Sequence, residues 1–277
     1  MKHEPEKWIR DYQADGYLVV EDCLSGEKLQ QVRDAADRIA RDAETMPRYL
    51  KSHIQFERDY FQQQPQYNTD VDPTQIGSAL RNVMELPLFD PIFAKLIIHE
   101  PLLDVLEVLF GSSEFHFHNY KMITKAPRVS SVFRWHRDLP YLQHTTPNLI
   151  TAMLCLDPMT KANGATVVLP GTHRIPHEDV TPADMEIAAA NLPADAKQVT
   201  VECPAGSLVL FHVNIIHGGG PNRSDIPRRN VIGIWTGPDT YPVGPARYAY
   251  QGLYPRSKDP AKQKQVHLAM HGDWKGE

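Results

Sequence analysis

The spacing of apolar residues changes character after the first third of the chain. In that first part Leu29, Val32, Ala36, Ile39 and Ala40 recur at helical spacing behind Ser25, a residue suited to cap a helix N-terminus. A second helix is predicted with Pro101 in its first turn and Gly111 just past its end. Its Leu102, Leu103, Val105, Leu106, Val108 and Leu109 make it apolar nearly all round, so it is expected to be buried. Gly16-Tyr17-Leu18-Val19-Val20 reads as a brief strand. Residues 42–77 are polar, rich in Gln, Tyr and Pro, and weakly periodic. A stretch that long is expected to be a functional loop or lid rather than an idle connection.

From Glu114 onward short β-rich runs are divided by turn residues. Strands are predicted near 114–124, 131–136, 149–156, 165–169, 198–202, 207–213 and 229–235. Asn163-Gly164, Pro170-Gly171, Pro204-Ala205-Gly206 and Gly218-Gly219-Gly220-Pro221 mark turns between them. Many short strands without βαβ alternation imply a β-sandwich or jelly roll. No repeat or linker divides the chain, so one domain over residues 1–277 is expected. Its helical part is about 1–112, its β core about 113–240 and its C-terminal extension 241–277. The fold class is mainly β with a helical shell (α+β).

Composition narrows the function. A formal charge of −5 and a pI near 6.2 argue against a nucleic-acid or anionic-membrane partner. Cys23, Cys155 and Cys203 are odd in number, widely spaced and form no C-x-x-C pair, so reduced thiols are expected. The chain opens on charged residues without an apolar leader, and its longest apolar runs fall short of a roughly 20-residue span. A soluble, cytoplasmic protein acting on a small molecule is the resulting expectation; oligomeric state is left open. The unusual entry in the composition is histidine, with 13 residues, the commonest metal ligand among side chains.

His-x-Asp occurs three times, as His136-Arg137-Asp138, His177-Glu178-Asp179 and His271-Gly272-Asp273. His and Asp two apart at a strand end project toward one face. With a distant His they form a two-His-one-carboxylate triad that leaves open positions on iron(II). His271 has no later histidine to complete a triad, and His177 sits in a Pro-rich polar loop. His136 closes the β-rich run Val132-Phe133-Arg134-Trp135 and has strand-borne histidines downstream. The third ligand has two candidates, His212 and His217. His217 introduces a glycine-rich turn and is followed by Arg228 on the next strand, where a guanidinium suits bidentate capture of a carboxylate. His212 lacks such a partner and is read as a core histidine.

Three ordered segments resemble the phytanoyl-CoA dioxygenase (PhyH) family of Fe(II)/2-oxoglutarate-dependent oxygenases. They are Trp135-His136-Arg137-Asp138-Leu139-Pro140-Tyr141, the run from Asn163 to Arg174, and His217-Gly218-Gly219-Gly220-Pro221-Asn222-Arg223-Ser224 with Arg228 beyond it. Similarity extends over most of residues 10–240. The resemblance implies a double-stranded β-helix (jelly roll, cupin-like barrel). It implies Fe(II), 2-oxoglutarate and O2 as cofactors, and His136, Asp138 and His217 as iron ligands and catalytic residues. Arg228 would hold the distal carboxylate of 2-oxoglutarate, and Asn119 and Lys121 lie where relatives line that pocket. The implied reaction is oxidation of a small organic metabolite, hydroxylation first of all, with release of succinate and CO2. Halogenation is disfavoured, because related halogenases have a small residue where this chain has Asp138. One departure stands out: many relatives carry Ser two residues after the distal histidine, and here it is Gly219.

Other features have plainer readings. His116 and His118 alternate with Phe115 and Phe117 and share a strand face, so a cupin-type enzyme independent of 2-oxoglutarate is one alternative. A catalytically silent jelly-roll binding protein is another. Asn222 and Ser224 are expected to brace the turn after His217, Arg229 to face away from Arg228, and Trp235 and Tyr141 to pack or shape a pocket. Residues 42–77 and 240–277 are the expected lids and specificity elements.

Overall fold

The computed structural model describes residues 1–64, 71–176 and 186–272. Helix α1 (Pro5–Asp15) ends at Gly16, whose φ of +79° lets its N–H return to the Tyr12 carbonyl. Strand β1 (Tyr17–Val20) follows, then α2 (Gly26–Asp42), which buries Leu29, Val32, Ala35, Ala36 and Ile39. The apolar stripe runs through Ala35, and Ala40 is exposed. Ser25 has the extended backbone of an N-cap, but its hydroxyl makes no capping bond. The second predicted helix is α6 (Glu100–Phe110), closed by Gly111 at φ +63° and preceded by α5 (Pro91–Lys95), which Asp90 caps.

Part of the stretch 42–77 is ordered structure rather than loop. It holds α3 (Arg48–Lys51), β2 (Ile54–Phe56) and α4 (Glu57–Gln63), and β2 pairs with β3 (Leu80–Met84). Both strands are short and carry polar residues on the cavity side, so neither shows a clean alternation in sequence. The remaining elements are β4 (His116–Lys125), β5 (Phe133–His136), α7 (Leu139–Leu142), β6 (Leu149–Cys155), β7 (Thr166–Val168), β8 (Val199–Thr200), β9 (Leu208–His212), β10 (His217–Gly219), β11 (Arg228–Thr236) and α8 (Pro260–His271).

These strands form two antiparallel sheets, a seven-stranded one in the order β1-β9-β6-β11-β4-β3-β2 and a four-stranded one in the order β5-β10-β7-β8. The jelly roll with a helical shell predicted from sequence is the architecture of the molecule. Strand β10 corrects one detail, because Gly218 and Gly219 lie in a strand and not in a turn. A Cβ on Gly218 would stand 3.0 Å from the Phe133 carbonyl oxygen and 3.3 Å from the Trp135 ring, so glycine there lets β5 pack close on β10.

The large sheet has a core on each face. Val231 and Trp235 of β11 join Phe115, Phe117 and Tyr120 against α2 and α6, while Ile232 joins Ile123, Met153 and Phe211 between the sheets. Arg229 points to the helical side as expected, where it bonds Asp157 and reaches Asp37 on α2. A register shift where β11 passes β4 sets Trp235 opposite Phe117 and Ile234 opposite Asn119. The extra residue of this bulge is His118, and beyond it Tyr120 and Met122 face the helices while Asn119, Lys121, Ile123 and Lys125 line the inter-sheet space. No helix among the described residues is long and apolar enough to cross a membrane.

Candidate metal centre

His136 and His217 are cross-strand partners on β5 and β10, with ring centroids 4.2 Å apart. Asp138 lies just past β5, where its own N–H and that of Leu139 donate to the Val213 carbonyl. That turn brings the carboxylate back beside the rings: Asp138 Oδ1 is 3.8 Å from His136 Nε2 and 4.0 Å from His217 Nε2. Among the described residues this is the one cluster of three or more such side chains whose ligand atoms all lie within 4.8 Å of one another. Three elements of the small sheet and its exit turn therefore converge on one point.

The ring tautomers are set by backbone carbonyls, which can only accept. His136 Nδ1 donates to the Arg134 carbonyl at 2.8 Å, and His217 Nδ1 donates to the Ile215 carbonyl at 3.2 Å. Both Nε2 lone pairs are left facing the carboxylate, the arrangement a metal ligand requires. Burial holds both imidazoles neutral, pushing His136 down to about 3 with the help of His217. Their approach to Asp138 is thus not an ion pair. Burial would raise Asp138, but the carboxyl is held below its ordinary range, with Lys121 and the Thr151 hydroxyl favouring the carboxylate. Thr151 Oγ1 comes from the opposite sheet and donates to Asp138 Oδ2 at 2.6 Å. That bond leaves Oδ1 as the free acceptor. Two neutral imidazoles and one orientable carboxylate between two sheets fit a divalent first-row metal. Thr151→Val is expected to weaken Fe(II) binding about 10–100-fold, measured by anaerobic metal titration.

A narrow pocket of about 90 Å³ runs from the triad along the inner face of the large sheet. Gly219 is two residues beyond His217 on β10, about 7 Å further along the strand, and pairs with Thr166 of β7. Opposite them Arg228 and Lys125 are direct cross-strand partners, 3% and 0% exposed. Neither makes a salt bridge among the described residues. Arg228 Nη1 approaches only Thr166 Oγ1 and the Met159 sulfur, and its Nε has no partner. Burial lowers the guanidinium to about 10, so it stays charged at neutral pH. Lys125 donates to the Gly220 carbonyl, and burial followed by the nearby Arg228 and Arg81 holds its amine well below the usual range. A Cβ on Gly219 would lie 3.5 Å from Lys125 Nζ, an ordinary contact distance, so the Lys125 amine stands directly beside the place a side chain here would take.

The other candidates are dispersed. Lys121 lines the narrow pocket and also a wider cavity of about 480 Å³; Asn119 lines only the wider one, as does Tyr141. His212 is outside the cluster, its Nδ1 accepting from the Asn214 N–H and its ring 5.6 Å from His173. His116 bonds the Thr240 carbonyl and His118 packs on His144 and Tyr248, so the pair forms no metal cluster with the triad. Trp235 is buried in the helix-side core. Asn222 braces the turn through the Lys125 and Ile226 carbonyls, and Ser224 bonds Asn222. His177, Asp179 and Asp273 lie outside the described residues. Lys125 was missed from sequence, although Asn119, Lys121 and Lys125 stand at alternate positions of one run and signal a polar strip inside a buried strand.

The family model for phytanoyl-CoA dioxygenase (PhyH) matches residues 12–230. The chain belongs to this family. Like other members of the PhyH family it is an Fe(II)- and 2-oxoglutarate-dependent dioxygenase. A "probable alpha-ketoglutarate-dependent hypophosphite dioxygenase" of Stutzerimonas stutzeri is 27% identical, over 95% of this chain and 93% of that protein. The solved structure of EctD from S. alaskensis with 2-oxoglutarate and 5-hydroxyectoine superposes with a TM-score of 0.64 at 22% identity, covering 86% of this chain and 78% of that one. That of the epimerase SnoN with Fe3+, alpha-ketoglutarate and nogalamycin RO gives 0.66 at 19% identity, over 92% and 90%. The two structures share the fold of this PhyH member.

Proposed function

We propose that His136, Asp138 and His217 hold iron(II) and that Arg228, with Lys125 beside it, receives the distal carboxylate of 2-oxoglutarate. The observation that carries this reading is the buried Arg228 guanidinium, without a salt bridge among the described residues and with the Lys125 amine beside it, on the same narrow pocket as a cluster of free Nε2 and carboxylate ligands. A buried cation is costly without an anion, and a five-carbon diacid with one end on the metal brings its other carboxylate to that place. Iron(II) with 2-oxoglutarate and O2 supplies the oxidising power, and 2-oxoglutarate leaves as succinate and CO2.

The chain's own residues do the positioning. The neutral imidazoles offer Nε2 without first losing a proton. Thr151 fixes which carboxylate oxygen faces the site, and the apolar inter-sheet core around Ile123, Met153 and Phe211 excludes water. Lys125 supplies the donor that Ser supplies in many relatives at the position of Gly219. The wider cavity is the substrate site, and its size suits a small organic molecule, which the enzyme oxidises, hydroxylation first of all. Relatives named for hypophosphite and ectoine, one inorganic and one organic, support a small-molecule substrate.

The test is aerobic turnover with Fe(II), ascorbate and 2-oxoglutarate. Succinate released with CO2 even without substrate supports the reading. Absence of both, in protein that binds iron, would return the chain to the binding-protein alternative.

A further inference from the structure

Three cations line the wider cavity, Arg81, Lys121 and Arg134, with Glu186 and the ligand carboxylate Asp138. Arg134 pairs with Glu186. Arg81 is engaged in the wall: it lies over the Tyr60 and Phe133 rings at 3.6 and 4.0 Å, donates to Ser131 and the Val132 carbonyl, and stands 3.6 Å from Glu57. The remaining cation is Lys121. It sits mid-strand on β4 between its cross-strand neighbours Met84 and Ile232, on the face turned to the cavity. Among the described residues its ammonium has no ion pair and no hydrogen-bond acceptor. It lines both the narrow pocket and the cavity, so it stands at their boundary, within electrostatic reach of Asp138, His136 and His217.

A second observation points the same way. Asn119, two residues earlier on the same face, is only 5% exposed, and its Oδ1 has no hydrogen-bond partner. The bulge at His118 is what turns Asn119 into the cavity instead of its histidine neighbour. A buried amide oxygen without a donor is a site waiting for an N–H or O–H. Its separation from Lys121, two strand positions or about 7 Å, is the span of a small molecule.

Charge balance then selects the substrate. Iron(II), the Asp138 carboxylate and dianionic 2-oxoglutarate sum to a net negative centre. Arg228 and Lys125 lie deeper, at the distal end of the co-substrate. A second anion could approach such a centre only with a cation on its own side, whereas a cationic substrate would be repelled by that lysine. We infer that Lys121 is the anion-binding residue of the substrate site, and that the substrate is a small acid whose oxyanion head pairs with Lys121 beside the metal. An N–H or O–H of the same molecule bonds Asn119 Oδ1. This assignment rests on the iron and 2-oxoglutarate reading above.

The test is an anaerobic titration of full-length protein loaded with Fe(II). 2-Oxoglutarate is added first and its affinity read from the metal-to-ligand charge-transfer absorbance. Lactate and methylphosphonate are then added, with lactamide and dimethyl methylphosphonate as neutral counterparts, and binding is read from the iron spectrum and by calorimetry. Wild-type protein is expected to bind the anions at least about tenfold more tightly than their neutral counterparts. Lys121→Met should weaken the anions about tenfold or more and 2-oxoglutarate by a clearly smaller factor; Lys121→Arg should retain the anions. The charge-transfer band also reports that the variants are folded. Equal loss of 2-oxoglutarate and anion affinity in Lys121→Met would give Lys121 to the co-substrate and overturn the inference. So would neutral compounds binding as well as anions, or no anion binding to the loaded wild type. A wild-type protein without the charge-transfer band would instead overturn the 2-oxoglutarate reading itself.

Discussion

Asp138→Ala is expected to abolish 2-oxoglutarate turnover and to remove most iron affinity, leaving the ligand-free fold intact. In the proposed triad the carboxylate is the one anionic ligand, and its loss would leave two neutral imidazoles to hold a divalent cation. The lost charge stabilisation is worth several kcal/mol, equivalent to a rate loss on the order of 10³ or more. Asp138 contributes to folding mainly through its backbone N–H, which bonds the Val213 carbonyl and is unaffected by the substitution. The measurements are succinate formation and Fe(II) titration, alongside a thermal melt without metal. Near wild-type iron affinity in this variant would remove the triad assignment, and a collapsed melt would show a structural role instead.

The second large effect has opposite signs in two measurements. Arg228→Met should raise the 2-oxoglutarate Kd by about 10²–10³, since truncating one partner of a buried charge pair costs about 2–5 kcal/mol. The same variant should melt at a higher temperature than wild type when no ligand is present. Arg228 is 3% exposed, remains charged, and meets only a hydroxyl and a thioether. Methionine keeps the packing and removes the uncompensated charge, a gain of about 1 kcal/mol or more, or about 2–4 °C per kcal/mol. Differential scanning calorimetry with and without 2-oxoglutarate reads both signs. A structural arginine would lower stability in both states, and that result would refute the assignment.

Much of the site was legible because its chemistry is local. His136 and Asp138 are two residues apart at the end of a predicted strand, and the pairing of that strand with β10 is what brings them to His217. Arg228 was legible from its place at the start of the next strand, although β11 does not return beside β10: it lies in the other sheet, and Arg228 faces the pocket from across it. Lys125 was not, because its role depends on neighbours distant in the chain: Arg228 across the strand pair and the Gly220 carbonyl that its amine reaches. Asn119 was expected in the co-substrate pocket and lines the wider cavity. The bulge at His118 moves the register by one residue and so reverses which alternate positions face inward. That reversal also leaves His116 and His118 with the Thr240 carbonyl, His144 and Tyr248 instead of a metal.

Sequence alone pointed to the jelly roll and the helices that shield it, because these follow from periodicity; it singled out His136-x-Asp138 by spacing, and Arg228 with the family resemblance chose His217 over His212 as its proposed partner. The tertiary structure decided what the triad is surrounded by. Two lysines of one strand, Lys121 and Lys125, look equivalent in sequence, yet one is sealed beside Arg228 and the other stands at the mouth of the wider cavity. The difference arises from neighbours far away in the chain, β3 and β11 beside the strand and β10 across the pocket, which fix the room and the charge around each lysine.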